Sequence, residues 1–559
     1  MISTMQGGQL GIPLLLRHMQ RVVGRSRIFS PDNAEGTTFG MLAKRAGRLA
    51  DALTKLGVAP DAVVGTLCGA TVAHIEAYLG IPGSGRVLHT INVRLHDNQI
   101  EYVINHAGDQ AVIIDIVYLD NLLRVLGRCP EVKWVIVTGA AEGDLPTVSG
   151  CHVCSYDSLL TAVDVKTDWP DFDERSAAVI CYTGGTTGMP KGVAYSHRSL
   201  WLQANSLCAA NSLAIGSSTR VLPAVPLYHV NGWGIPYAAL MAGADMILPS
   251  KSLQPKDLLA LIDRHEPNLA AGVPTIWSDV LEELRARGRS GLGTVRSISC
   301  GGAQVSSVLA SAYAQMGVQM FQAWGMTETS SMSAIARIPP WATNEEEREH
   351  YRTKQGRVVC GLEARVVEIG GGELACDGRT VGEIQIRGPW VASGYLGNNE
   401  GENFEHGWLR TGDLGTIDPD GHISLSDRAK DAIKSGGEWI PSLSLEEKIL
   451  AHPDIEEVAV VAVDDPRWQE RPAAVVVLRS GAAVSAGELS DWLQDHVPRW
   501  WLPKLWAVTS QLPRTSVGKI DKKVIRQMVG QGGFATVDPP QNAPQGETPR
   551  TTPKTPASR

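Results

Sequence analysis

Tyr182-Thr-Gly-Gly-Thr-Thr-Gly-Met-Pro-Lys-Gly-Val193 follows an apolar run, Ala177 to Tyr182, that reads as a β-strand. Gly184, Gly185 and Gly188 stand among the hydroxyls of Thr183, Thr186 and Thr187, and Lys191 follows. Such a loop can turn backbone N–H groups and hydroxyls toward phosphate oxygens while the lysine supplies positive charge. It differs from a Walker A loop, because the lysine comes after Pro190 and no Ser or Thr follows it. The stretch predicts a phosphate-binding loop at the end of a strand in a layered α/β protein.

Upstream, Leu42, Ala46, Leu49, Leu53 and Leu56 recur at helical spacing before Gly57, which predicts an amphipathic helix over 38–56. Short apolar runs at Val63 to Cys68, Ala111 to Ile114 and Trp134 to Val137 alternate with helical patterns, as layered α/β construction requires. Downstream, from Ala364 to Leu425, short β segments are separated by Gly and Asp turns, which predicts a β-rich subdomain. A helix around Leu445 to Leu450, apolar runs at Val458 to Val463 and Ala473 to Leu478, and a helix near Leu489 to Leu493 then make a compact α+β module. The expected organisation is a large α/β N-terminal domain of several subdomains over 1–429, a small mobile α+β domain over 430–535, and a tail over 536–559. Six of the last 21 residues are proline and large side chains vanish, so the tail is expected to be disordered.

The 559 residues are 43% hydrophobic and 20% charged, the balance of a globular protein. A net charge of −8 and the lack of a long basic run argue against nucleic acid as a partner. Nine cysteines, an odd number spread over a long chain, point to a reducing compartment, and the cytoplasm is the expected location. Cys151 and Cys154 form one CxxC without a second pair at zinc spacing, and are expected in a surface loop. No stretch approaches the roughly 18 apolar residues of a membrane span. Peripheral membrane contact and a homodimer remain open.

The phosphate-loop string resembles that of the adenylate-forming superfamily, which unites acyl-CoA synthetases, peptide-synthetase adenylation domains and firefly-type luciferases. The superfamily's further motifs follow in order over residues 30–527. In Gln322-Ala-Trp-Gly-Met-Thr-Glu328 the resemblance gives Gln322, Trp324, Gly325 and Thr327 to the nucleotide, with Trp324 stacked on adenine. Glu328, with Thr186 of the loop, is given to Mg²⁺, for which a carboxylate is a suitable hard ligand. Trp324 stands where many relatives carry Tyr, and Gly184 where many carry Ser. Asp413 of Arg410-Thr-Gly-Asp-Leu414 matches the ribose-binding acid, since a carboxylate can accept from both ribose hydroxyls. Arg428 resembles the second ribose contact and Lys430 the interdomain hinge. Lys519, in Pro513-Arg-Thr-Ser-Val-Gly-Lys-Ile520, matches the lysine that neutralises charge during adenylation.

A carboxylate is a poor acyl donor, and ATP converts it to an acyl-adenylate whose leaving group is AMP. The resemblance therefore implies a ligase that uses ATP, Mg²⁺ and coenzyme A. Within Pro226-Leu-Tyr-His-Val-Asn-Gly-Trp-Gly234, His229 takes the place beside the acid's carboxylate and Trp233 the place that gates the acyl tunnel. Gly301, Gly302 and Ala303 match the strand lining the acyl pocket, while Gly436, Gly437 and Trp439 match the pantetheine tunnel. The small residues at 301–303 and the lack of an aspartate for an α-amino group point to an apolar acid. The branch resembled most is the bacterial medium- and long-chain fatty acyl-CoA synthetases. An acyl-AMP ligase that loads a carrier protein, a CoA ligase for another apolar acid, a luciferase-type oxygenase and a non-catalytic nucleotide-binding protein remain alternatives.

Overall fold

The computed structural model describes residues 3–164, 168–183, 189–368, 371–397, 403–428, 431–435, 438–515 and 519–537, without the side chains of 438, 439 and 535–537. Gly184, Gly185, Thr186, Thr187 and Gly188 of the phosphate loop lie outside the described residues, as do Lys430, Gly436, Gly437, the side chain of Trp439 and the tail beyond 537. Contacts divide the chain into two units, Met1–Ala429 with Arg514–Lys519, and Lys430–Pro513 with Ile520–Arg559.

Two sheets organise the first unit. In the smaller, strands His152–Ser155, Trp134–Thr138, Asp109–Asp115, Val63–Leu67, Val87–Thr90 and Ala177–Tyr182 run parallel, and Gly192–Ser196 closes the edge antiparallel to Ala177–Tyr182. The central strands are buried on both faces, which explains their unbroken Val/Ile runs. The segment expected to bind phosphate thus lies between two antiparallel strands, and Thr183 N donates to Lys191 O at 2.9 Å. The predicted first helix is Phe39–Lys55, capped by the Thr38 hydroxyl on Met41 N, with Leu42, Ala46, Leu49 and Leu53 buried.

The larger sheet begins as α/β structure. Arg27–Ser30, Asp245–Ile247, Arg220–Ala224, Leu269–Gly272, Ser297–Gly301 and Gln319–Trp324 pair in parallel. It then turns antiparallel through Ala334–Ile335 and Gly356–Val358 into His422–Arg428, Trp408–Ile417, Gly382–Arg387 and Glu363–Val367. The β-rich segment expected from the Gly/Asp turns is thus continuous with the α/β sheet, and the three strands carrying the nucleotide motifs belong to one sheet.

The second unit is α+β. Its hairpin Ile455–Asp465/Gln469–Leu478 is joined by Leu505–Val508, and the helices Ser442–Leu450, Ala486–Gln494 and Lys522–Gly530 cover it. Alternation along the hairpin buries Val458, Val460 and Val476 in one core and Val461, Val475 and Val477 in another. The strand Ala535–Val537 pairs antiparallel with Leu505–Val508, so the first two residues of the tail expected over 536–559 are ordered against the sheet.

The CxxC segment differs from its expected loop. His152–Ser155 adds in parallel to Trp134–Thr138 as an edge strand, and the His152 and Trp134 rings stack with centroids 4.5 Å apart. All nine cysteines are free thiols. Among the described residues no helix is long and apolar enough to cross a membrane.

Candidate active site

Three motifs meet at Asp413. Its strand, Trp408–Ile417, breaks register against Gly382–Arg387, so that Glu383 faces Leu414 while Gln385 faces Arg410. Gly412 sits in this bulge at φ +70°, a conformation that favours glycine. Asp413, 2% exposed, lies opposite Arg428 of the next strand. Asp413 Oδ1 is 2.6 Å from Arg428 Nε, and Oδ2 accepts from the Trp324 indole Nε1 at 2.9 Å. Both carboxylate oxygens are engaged, yet each retains a lone-pair site for a further donor.

The strand Gln319–Trp324 leads through Gly325 into the turn Thr327–Thr329. A Cβ on Gly325 would lie 1.5 Å from Ser331 O, so only glycine permits this path. The turn buries Thr327 and Glu328. Glu328 Oε1 accepts from Tyr395 Oη at 2.6 Å, and Asn403 Nδ2 donates to that hydroxyl at 3.1 Å. Lys191 Nζ sits 4.7 Å from the centre of the Tyr395 ring, and Tyr195 Oη donates to Thr327 O at 2.7 Å. Lys191 and Glu328 are therefore joined through Tyr395. Buried Gln322 accepts from Val305 N at 3.1 Å, fixing the chain beyond Ala303.

Among the described residues no group of three or more His, Cys, Asp or Glu side chains converges on a metal position. Mg²⁺ held mainly by nucleotide phosphates needs only one or two carboxylates. Glu328, a buried carboxylate with one oxygen fixed by Tyr395, fits that requirement.

In the segment expected to flank the acid, Val230, Asn231, Gly232, Trp233 and Gly234 all have positive φ. Non-glycine residues hold such a conformation only when their surroundings enforce it. Here the Trp233 carbonyl accepts from Ser331 Oγ at 3.0 Å and Gln203 Nε2 at 3.4 Å. The Trp233 ring is thereby laid over Gly301, with Cη2 3.4 Å from where a Cβ would stand. Gly302 follows at φ +84°, and the Lys519 side chain, in the Arg514–Lys519 segment of the same unit, has Cε 3.4 Å from its Cβ position. Burial, and secondarily the Lys519 charge, push the His229 imidazole down to about 3, so it is neutral at ordinary pH.

The structure thus links Trp324 and Arg428 through Asp413, sets Lys191 and Glu328 each against Tyr395, and packs Trp233 on Gly301. Sequence reasoning missed Tyr395, Asn403, Gln203 and Ser331. None lies in a quoted motif, and each acts by closing a contact between segments distant in sequence.

Comparison with known proteins gives the class. The profile described as AMP-binding enzyme matches residues 17–396, and that described as AMP-binding enzyme C-terminal domain matches 444–519. The chain is 37% identical to a 3-methylmercaptopropionyl-CoA ligase of Ruegeria lacuscaerulensis, over 94% of this chain and 98% of that protein. It is 36% identical to a medium-chain-fatty-acid–CoA ligase of Ectopseudomonas oleovorans, over 95% and 98%. A crystal structure of an anthranilate CoA ligase in complex with anthranoyl-AMP shares the fold, with a TM-score of 0.84 at 22% identity over 94% of this chain and 98% of that one. Fold and sequence together define an adenylate-forming enzyme. The chain belongs to the AMP-binding enzyme family, with both its large and its C-terminal parts represented.

Proposed function

We propose that this chain is an ATP- and Mg²⁺-dependent acid–CoA ligase that activates a medium- to long-chain fatty acid as its acyl-adenylate, passes the acyl group to the thiol of coenzyme A, and releases AMP and pyrophosphate. The observation that carries the adenylate half is the Trp324–Asp413–Arg428 cluster. A buried carboxylate held by an indole and a guanidinium is pre-set to accept from a ribose diol, beside an aromatic ring suited to a purine. Glu328 would hold Mg²⁺, which supplies charge neutralisation at the phosphates. Lys191, Thr183 and the 184–188 loop would bind phosphate oxygens. Lys519 would stabilise the negative charge that develops as the carboxylate attacks the α-phosphate. Neutral His229 can donate a hydrogen bond to the acid without fixing a counter-charge.

The acid is read from Trp233 on Gly301, where an aromatic face and a residue without a side chain offer apolar contact. The 36% identity to a medium-chain fatty acid ligase supports an alkyl acid. A second reading, a short thioether acid, is favoured by the 37% identity to a 3-methylmercaptopropionyl-CoA ligase. Pyrophosphate release across acids from propionate to palmitate, with 3-(methylthio)propionate included, separates them. The proposal expects kcat/KM to rise with chain length into the medium range. A maximum at 3-(methylthio)propionate selects the second reading, and thioester formed on a holo-carrier protein but not on free coenzyme A overturns the acceptor.

A further inference from the structure

One buried histidine–carboxylate pair has no part in the reading above. His89, on the strand Val87–Thr90, and Asp109, on Asp109–Asp115, are both fully buried. His89 Nδ1 is 2.9 Å from Asp109 Oδ2 and 3.1 Å from Oδ1. The other ring nitrogen, Nε2, is sealed from solvent and has no hydrogen-bond partner. Such a group is costly to bury unless something bonds to it during function. His89 lines a narrow, enclosed cleft with Asn92, Tyr182, Thr183, Tyr228 and His229. Tyr182 and Thr183 lead into the phosphate loop, while His229 stands on the acid side. The cleft therefore borders the place where phosphate and acyl group are joined, if the ligase reading holds.

We propose that His89, oriented by Asp109, is the proton acceptor for the incoming thiol in the acyl-transfer half-reaction, an inference that rests on the ligase reading. Asp109 accepts from Nδ1–H, which leaves the Nε2 lone pair as the free acceptor of a ring that lines the cleft. As sulfur bonds to the carbonyl carbon, the S–H proton passes to Nε2. The carbon–oxygen bond to AMP breaks, and AMP leaves with that oxygen and the bonding electrons. The imidazolium then passes its proton to a phosphate oxygen of the departing AMP, which carries it out of the cleft.

Titratable groups flank His89 within the sheet and along the cleft. Asp109 reaches His89 across the intervening strand Val63–Leu67, and Tyr182 lies on the neighbouring strand, its ring centroid 5.0 Å away and its hydroxyl 2.7 Å from His106 Nδ1. His74 reaches the same backbone through Thr66, which donates to His89 O. Tyr228 and His229 share the cleft wall. Burial holds Tyr182 and Tyr228 above the usual phenol range and pushes His74 down to about 4 and His229 to about 3. At neutral pH these four are uncharged.

The experiment supplies purified acyl-adenylate and coenzyme A to the full chain and follows thioester in a single turnover between pH 6 and 9, with acid-dependent pyrophosphate release measured alongside. For the wild type, the thioester rate should level off below the range in which a thiol ionises, around pH 8.5. His89→Gln should slow this step by about 10²-fold at pH 7, the scale of general-base catalysis, and its rate should climb with pH toward thiol ionisation. Adenylation should change by less than about threefold, well below that general-base effect. Asp109→Asn should slow the thioester step with the same selectivity. A wild-type rate that rises tenfold per pH unit up to thiol ionisation overturns the proposal, even if His89→Gln fails to fold. Equal loss of both half-reactions in a folded His89→Gln also overturns it. A wild type that makes no thioester from any acid refutes the ligase reading instead.

Discussion

Asp413→Ala should damage ATP use and leave acid use nearly intact. In the fold this carboxylate is 2% exposed and satisfies the Trp324 indole N–H as well as Arg428. Removing it leaves the indole donor buried and unpaired, at about 1–3 kcal/mol of stability. The Arg428 side chain is 42% exposed, so its lost pairing adds only about 0–1 kcal/mol. Hydrogen bonds from ribose to a charged acceptor contribute about 1.5–3 kcal/mol, which predicts a roughly 10- to 100-fold rise in the KM for ATP. The KM for the acid should change less than about twofold, because no acid-binding contact of this size is lost. Steady-state pyrophosphate release at varied ATP and varied acid, well below the melting temperature, measures both. Asp413→Asn is the control, since its amide oxygen can still accept from the indole and stability should recover before ATP affinity does. An equal rise in both Michaelis constants in a folded Asp413→Ala protein would refute the ribose assignment.

Trp233→Ala should flatten or shift the dependence of kcat/KM on acid length without altering the KM for ATP, and unchanged selectivity would make Trp233 a packing residue only. Tyr395→Phe removes the hydroxyl that fixes Glu328 Oε1, so the Mg²⁺ concentration needed for half-maximal rate should rise a few-fold, and an unchanged requirement contradicts the link. His74 is buried with Nδ1 2.9 Å from Gly69 O, and burial lowers it to about 4 from its ordinary value near 6.5. The unfolded chain takes up this proton first, so the wild type should lose stability as pH falls from about 6.5 toward 4. The melting-temperature advantage of wild type over His74→Gln should narrow across that window, and parallel curves would count against a buried neutral His74.

The helix Phe39–Lys55 and the strand Ala177–Tyr182 were legible because their apolar spacing is local and strong. The strand His152–Ser155 was not, since four residues of which only Ser155 is buried carry almost no periodic signal and only pairing with Trp134–Thr138 makes them a strand. The Ala535–Val537 strand was hidden because three residues are too few to show a period. At the site, motif order named Trp324, Asp413 and Arg428, but the indole-to-carboxylate bond spans 89 positions and depends on the register of one continuous sheet. Tyr395 was invisible because its value lies in closing a contact between Glu328 and Lys191, which no spacing encodes.

The most direct test of a two-step acyl-adenylate route is to separate the half-reactions in Lys519→Ala. Loss of a transition-state contact of about 3–4 kcal/mol should slow acid-dependent pyrophosphate release by roughly 10²–10³-fold. The same protein, given synthetic acyl-AMP and coenzyme A, should form thioester at close to the wild-type rate, because this lysine is assigned only to the step that makes the adenylate. Equal failure from acid plus ATP and from acyl-AMP would contradict both that assignment and the division of the reaction into two chemically distinct steps.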